Sequence, residues 1–162
     1  MTFHRNRDKI KKNQKGTTPL MRILAVDLGK VRTGTAICDL GEVLASPLQV
    51  IRQTNREALA QEIAVLCKEN RAQHIVLGHP VNMDGSEGES ALGAQAFAVL
   101  LRQATGLEVV LRDERGTTLT AHGYLNETDT RGKKREAVVD AVAATIILQD
   151  YLEFRKNSGA AR

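Results

Sequence analysis

Hydrophobic and polar positions divide the chain into short apolar runs and longer amphipathic stretches. Arg22 to Asp27 holds Ile23, Leu24, Ala25 and Val26 in unbroken succession and stops on a carboxylate. A continuous apolar strand of this kind belongs in the middle of a sheet, covered on both faces. Thr33 to Asp39 and Glu42 to Ile51 read as two more strands, joined by the hairpin signal Asp39-Leu40-Gly41. From Asn55 to Asn70 the period changes: Leu59, Ile63 and Leu66 recur at helical spacing, and Thr54 or Asn55 can cap the helix. His74 to Gly78 is another buried strand, followed by a loop, His79 to Gly88, rich in Gly, Asn and Asp. Ser90 to Thr105 is a second helix, with Leu92, Ala96, Val99 and Leu100 expected inward. Leu107 to Leu111 is a fifth strand that ends in charge, at Arg112, Asp113, Glu114 and Arg115. A third helix runs from about Thr117 to Glu127, a break covers Thr128 to Arg135, and a last helix runs from Glu136 to about Phe154. The order βββαβαβαα predicts an α/β domain, a mixed five-stranded sheet with helices on both faces.

At 162 residues the chain has room for one such domain. Residues 1–20 are polar, aperiodic and basic and read as a disordered tail; the domain spans residues 21–155, and residues 156–162 form a flexible C-terminal tail. No apolar run approaches the roughly 20 residues that span a bilayer, and the first 20 residues lack the apolar centre of a secretory signal. A cytoplasmic protein with no membrane partner is expected. The formal charge of +4 invites a nucleic-acid reading, but its distribution weakens that argument. Residues 1–20 carry a net +5, and the rest holds 17 basic and 18 acidic groups. Basic side chains of the domain must therefore cluster locally if they hold phosphates. Cys38 and Cys67 have no partners at zinc-ligand spacing and are expected as buried, reduced thiols.

Three carboxylates carry the candidate chemistry. Asp27 ends the apolar first strand, at the edge where open α/β sheets place ligands; a local turn cap is the alternative. Glu114 follows the fifth strand in the same way, beside Asp113. Adjacent residues on an extended segment point to opposite sides, so at most one of these two acids faces the site. A surface salt-bridge run would also explain them. Asp140 lies in the last helix with Ala137, Ala143, Ala144 and Ile147 at helical spacing, on the apolar stripe. A carboxylate there must be protonated, paired or metal-bound. Converging on one sheet edge, the three acids make an oxygen-rich cluster suited to Mg²⁺ or Mn²⁺. Two such ions roughly 3.5–4 Å apart can activate water and stabilise the leaving oxygen in phosphodiester cleavage.

Four ordered motifs carry a resemblance. Asp27-x-Gly29-x-x-Arg32-x-Gly34-x-Ala36, Gly78-x-Pro80-x-Asn82-Met83-x-Gly85-Ser86-Glu87-Gly88, Asp113-Glu114-Arg115-x-Thr117-Thr118 and Val139-Asp140-x-x-Ala143-Ala144 resemble the YqgF family over about residues 22–153. The resemblance implies the ribonuclease H-like fold and a nuclease acting on the 5′ end of precursor 16S rRNA. Its acidic triad would fall on Asp27, Glu114 and Asp140, as catalytic groups and metal ligands. A Holliday-junction resolvase acting on branched DNA is the alternative, and a non-catalytic RNA-binding assembly factor a third. His79 and Gly116 depart from the family's usual residues.

Lys30, Arg32 and Arg115 stand beside the acids and are candidates for phosphate contacts, as are Arg131, Lys133, Lys134 and Arg135. For Lys30 and Arg32 the alternative is pairing with Asp39 or Glu42; for residues 131–135 it is a solvated loop. Asn82, Gly85 and Ser86 lie in a loop leading to a helix start, where backbone amides can bind phosphate; a loop capped by Ser86 or Ser90 is the plain alternative. His79 is a candidate accessory group. With 3% aromatic residues and no Trp, base-stacking platforms are scarce. The partner expected is structured nucleic acid, precursor rRNA or branched DNA, with ribosomal precursor particles as a possible setting. The protein would act as monomer or homodimer, two nicks in a symmetric junction requiring two sites. An actin-like phosphotransferase would need a second domain of this type, for which there is no room.

Overall fold

A computed structural model describes residues 19–113 and 132–159, with residues 132–140 described as helix backbone. Its elements are β1 (Ile23–Asp27), β2 (Arg32–Cys38), β3 (Ala45–Arg52), α1 (Arg56–Glu69), β4 (His74–His79), α2 (Glu89–Thr105), β5 (Val109–Asp113) and α3 (Gly132–Asn157). The sheet order is β3-β2-β1-β4-β5. β1, β2 and β3 pair antiparallel, whereas β4 and β5 join β1 in parallel, as the connections through α1 and α2 require. This is the mixed sheet expected from the pattern. The expected third helix, Thr117 to Glu127, lies outside the described residues.

β1 divides the interior. Leu24 and Val26 face a core built with α1 and α2, including Leu59, Ile63, Phe97 and Leu101. Ile23 and Ala25 face a second core under α3, with Ala144, Ile147, Leu148, Tyr151 and Leu152. Helices thus cover both faces. Cys38 and Cys67 are buried and unbridged, and burial raises both thiols, Cys67 to about 11.

Several local expectations are corrected. β3 begins at Ala45, because Glu42 is taken up by the turn at positive φ (52°). In α2 the buried face is Ala91, Ala94, Phe97, Ala98 and Leu101, while Leu92 and Val99 are about half exposed and Ala96 is exposed. Its buried alanines share that face with the large side chains Phe97 and Leu101, which pack in the core with Leu59 and Ile63 of α1. Neither Ser86 nor Ser90 caps α2; Gly88 is its N-cap, with no side-chain bond. α3 begins at Gly132, so residues 133–135 belong to a helix and not to a loop.

At the amino end of β1 lies a closed polar cluster. Glu42, fully buried, accepts from Arg155 Nε at 2.5 Å and Nη2 at 3.0 Å, and from the Met21 amide at 2.8 Å. Arg155 also donates to the Pro19 carbonyl at 3.1 Å. Beside it His74 stacks on Tyr151 (5.7 Å between centroids), and His74 Nε2 lies 3.0 Å from the Tyr151 hydroxyl. Arg155→Ala would strand Glu42 in the interior. We expect a loss of about 3–5 kcal/mol, read from urea unfolding; a loss below about 1 kcal/mol would contradict the pair's burial.

Burial lowers the pKa of His74 from its ordinary 6.5. The unfolded chain therefore binds a proton there before the native one does. Stability falls as pH drops below about 6.5, until the native-state pKa is passed. His74→Gln should flatten this part of the dependence, checked by thermal unfolding of both proteins between pH 8 and pH 5.

Candidate active site at the carboxyl edge of the sheet

Asp27 is the last residue of β1 and pairs with Gly34 of β2. Side chains alternate along a strand, so Asp27 shares the face of Ile23 and Ala25, the one that α3 covers. The turn after it is tightly determined. A Cβ on Gly29 would stand 1.9 Å from the Arg32 carbonyl oxygen, so no other residue fits without moving backbone. The Gly29 amide donates to Thr33 Oγ1 (3.4 Å), and its carbonyl accepts from Arg56 Nη1 at the start of α1 (2.9 Å). The Gln53 amide donates to the Val31 carbonyl, tying the end of β3 to the same turn.

β5 fixes the face on which Asp113 lies. Val109 and Leu111 pack toward α1 and α2, whereas Arg112 reaches Asp150 of α3 (2.9 Å) and lies over the Phe154 ring. By alternation Asp113 lies on the α1–α2 face, opposite to Asp27. It pairs in register with His79, whose Nε2 is 3.2 Å from Gln95 Nε2 of α2 and 3.7 Å from Glu87. His79 is therefore engaged on the face away from Asp27. Glu114, Arg115 and Arg131 lie outside the described residues.

The direction of α3 follows from its carboxyl end. Arg155 is fixed at the amino end of β1, so the helix runs backward from there toward the carboxyl edge of the sheet. Residue 140 is 15 residues upstream, about 22 Å along the axis, against about 13 Å from the first to the last Cα of β1. Position 140 lies one turn before Ala144, on the helical line of Ile147 and Tyr151, the line that meets the sheet. Positions 133, 134 and 135 lie in the first turn of the same helix.

Lys30 and Arg32 sit at the carboxyl edge, whereas Asp39 and Glu42 lie at the far end of β2, about 20 Å away. Asp39 accepts from the Val43 and Leu44 amides, Leu44 first among the contacts that lower its pKa, and Glu42 is bound to Arg155. Pairing of Lys30 and Arg32 with those two acids is excluded.

The loop before α2 is ordered by itself. The Asn82 amide donates to the Ser86 carbonyl (2.8 Å) and Asn82 Nδ2 to Ser86 Oγ (2.9 Å). Ser86 Oγ donates to Asp84 Oδ1 (2.6 Å), and Gly85 takes positive φ (86°). Ser86 thus folds the loop, and the first amides of α2 receive no side-chain cap.

Two residues at this edge went unnoticed in the sequence. Arg52, exposed at the end of β3, stands directly opposite Arg32, and Arg56 holds the Gly29 carbonyl. Both read as ordinary surface cations until strand register sets Arg52 opposite Arg32 and one hydrogen bond ties Arg56 to the turn after Asp27. Among the described residues no three His, Cys, Asp or Glu side chains gather into a metal-binding group, Asp27 being the one member of the expected triad whose side chain is described. Its carboxylate is the donor type that Mg²⁺ and Mn²⁺ prefer. A groove of about 500 Å³ lined by Ala45, Pro47, Val142 and Ile146 lies between α3 and the edge strand β3, away from Asp27. Among the described residues no helix is long and apolar enough to cross a membrane.

The RuvX family model, described as Holliday junction resolvase, matches residues 21–154. A relative from an Anaeromyxobacter species is 44% identical over 83% of this chain and 98% of its own length. One from Clostridium beijerinckii is 42% identical over 82% and 96%. Both carry the name "Putative pre-16S rRNA nuclease". Among solved structures, Thermus thermophilus RuvC in complex with a Holliday junction substrate superposes with a TM-score of 0.53 at 12% identity, covering 86% of this chain and 98% of that one. The fowlpox virus resolvase with its junction DNA gives 0.51 at 12%, covering 83% and 98%. At such identities the likeness establishes the fold, a RuvC-like ribonuclease H-type sheet.

Gly29→Ala should destabilise the protein by about 1–3 kcal/mol or more, since its Cβ meets backbone. Gly93→Ala, in α2 with nothing within 4 Å, should instead stabilise by roughly 0.5–1 kcal/mol. Opposite signs in parallel thermal melts are expected; a neutral Gly29→Ala would show that the turn is not tight.

Proposed function

The chain belongs to the RuvX family of Holliday junction resolvases, and from that membership we propose that it is a divalent-metal-dependent endonuclease acting on structured nucleic acid, precursor 16S rRNA first. The observation that carries this reading is the placement of Asp27. It ends a fully buried central strand, on the face that α3 covers, and position 140 lies on the sheet-facing line of that helix. We assign Asp27, Glu114 and Asp140 as the catalytic acids and metal ligands. With Asp113 on the opposite face, Glu114 is the member of the Asp-Glu pair that completes the set.

Asp27, Glu114 and Asp140 would hold two Mg²⁺ or Mn²⁺ ions, which would supply activation of the attacking water and stabilisation of the leaving oxygen. The chain's own contribution is position. Asp27 is held by a turn that Gly29, Thr33 and Arg56 fix from three sides. Lys30 and Arg32 neutralise phosphate beside it, and we assign Arg115, Arg131, Lys133, Lys134 and Arg135 to contacts with the substrate backbone. The loop of Asn82, Gly85 and Ser86 presents the uncapped amides of α2 to a phosphate further along the strand.

A second reading keeps the chemistry and changes the substrate to a four-way DNA junction, which the family's description favours. The two are separated by offering both a precursor 16S 5′-leader RNA and a four-way DNA junction at matched salt with Mg²⁺ or Mn²⁺. We expect cleavage of the RNA, abolished by chelator. Asp27→Asn, Glu114→Gln and Asp140→Asn should each lower the rate on the order of a thousandfold or more, with folding intact. Cutting of the junction alone would select the second reading. Wild-type rates in chelator, or in all three variants, would overturn the metal mechanism.

A further inference from the structure

We propose that Arg52 and Arg56, with Lys30 and Arg32, form a phosphate-binding track that carries the backbone of a nucleic-acid strand across the β2–β3 side of the carboxyl edge. The track gives a direction to the substrate of the nuclease proposed above, and it rests on that reading.

The first observation is register. Arg32 and Arg52 are Cα partners on adjacent antiparallel strands. Arg32 lies two residues before Gly34, the partner of Asp27, and so shares its face of the sheet. Arg52 lies on that face too, since its neighbour Ile51 is buried in the core on the other one. Like charges placed directly opposite destabilise a sheet. Among the described residues Arg52 has no acidic partner of its own.

The second observation is Arg56. It begins α1, where the helix dipole disfavours a cation. It is half-buried, yet its hydrogen bond among the described residues is to the Gly29 carbonyl, through Nη1, and it too has no acidic partner. That bond leaves most of a five-donor guanidinium available at the turn that follows Asp27. Glu57, its neighbour in the first turn, is exposed and makes no ion pair with it.

Three arginines and Lys30 therefore stand along one short stretch of the edge, and among the described residues Arg52 and Arg56 have no acidic partner. Arg32 has a partner of its own, so the argument does not need it to be vacant. Planar guanidinium forks match phosphate oxygens, and a row of them along an edge suits a regularly spaced phosphate backbone. The duplex arm entering the site would then lie over β2 and β3, not over β4 and β5.

The test uses the full chain and a labelled RNA duplex as the probe, with binding read by fluorescence anisotropy between 50 and 200 mM salt. Asp27→Asn serves as the background, to prevent cutting. Each duplex phosphate contact contributes about 0.9 to the slope of log affinity against log salt. Adding Arg52→Gln and Arg56→Gln together should lower that slope by about 1.8. On the cleavable substrate, without the Asp27 change, Arg52→Gln alone, which touches no part of the Asp27 turn, should raise KM about threefold and leave kcat within about twofold. Arg52→Gln alone touches an exposed side chain, so a slope change of about 0.9 there excludes misfolding as the cause. Lys68→Gln, exposed in the last turn of α1 at the opposite edge, changes net charge equally and should leave the slope unaltered. An unchanged slope in the arginine variants, or an equal change in Lys68→Gln, would overturn the track. Cutting by Asp27→Asn would instead sink the nuclease reading, while the binding slopes would still report on the arginines.

Discussion

The fold depends on one constraint, the burial of β1 on both faces. Ile23, Leu24, Ala25 and Val26 are all without solvent exposure, split two and two between separate cores. A strand so enclosed can place a charge only at its ends, and Asp27 is the residue at which it leaves the interior. The same enclosure sets the neighbours. β2 and β4 must flank it to satisfy its backbone groups, and helices must close both faces. Alternation then decides orientation without further input: Asp27 is aimed at α3 because Ile23 and Ala25 are.

α3 answers that orientation through an interaction at the other end of the molecule. The Glu42–Arg155 pair buries two charges, and a well-packed apolar pair could be as stable. Its consequence is positional. It joins the β2–β3 turn, the carboxyl end of α3 and the chain entering β1 at Met21 and Pro19. With that end held, the opposite end of the helix projects toward the carboxyl edge. Glu42 adopts a left-handed backbone conformation that side chains other than glycine seldom take, and its three hydrogen bonds offset that cost. A structural pair about a helix length from Asp27 thereby determines what can stand beside Asp27.

The elements were legible where a period was strong. β1 to β5, α1 and the last helix follow from runs and spacings, and Asp27 from the carboxylate that ends the first run. α2 was misread because it is rich in alanine. The buried face is Ala91, Ala94, Phe97, Ala98 and Leu101, which leaves Leu92, Ala96 and Val99 to solvent, while Leu100 packs against the core as expected. The Glu42–Arg155 pair joins residues 113 positions apart and has no local signal. Arg52 and Arg56 were invisible for a related reason: their meaning lies in the β2–β3 register and in one bond to a turn, neither of which composition records. Strand alternation in the sequence allowed at most one of Asp113 and Glu114 to face the site, and the Arg112–Asp150 contact places Asp113 on the face opposite to Asp27.

Charge at the two ends of the sheet follows opposite logic. At the amino end Glu42 and Arg155 neutralise each other, and His74 is held against Tyr151 with its pKa lowered by burial, so that end is electrostatically closed. At the carboxyl end, cations stand where secondary structure argues against them. Arg32 faces Arg52, Arg56 opens α1, and the first turn of α3 has no acid but holds the positions of Lys133, Lys134 and Arg135. A cation in the first turn of a helix, as Arg56 is in α1, costs the isolated protein a few tenths of a kcal/mol to about 1 kcal/mol. Beyond residue 20 the chain is nearly neutral, so this excess is one of placement and not of composition. Basic residues gathered at one edge, and charge neutralised within the fold at the other, suit an anionic polymer at the first, and it is at that edge that β1 ends in Asp27.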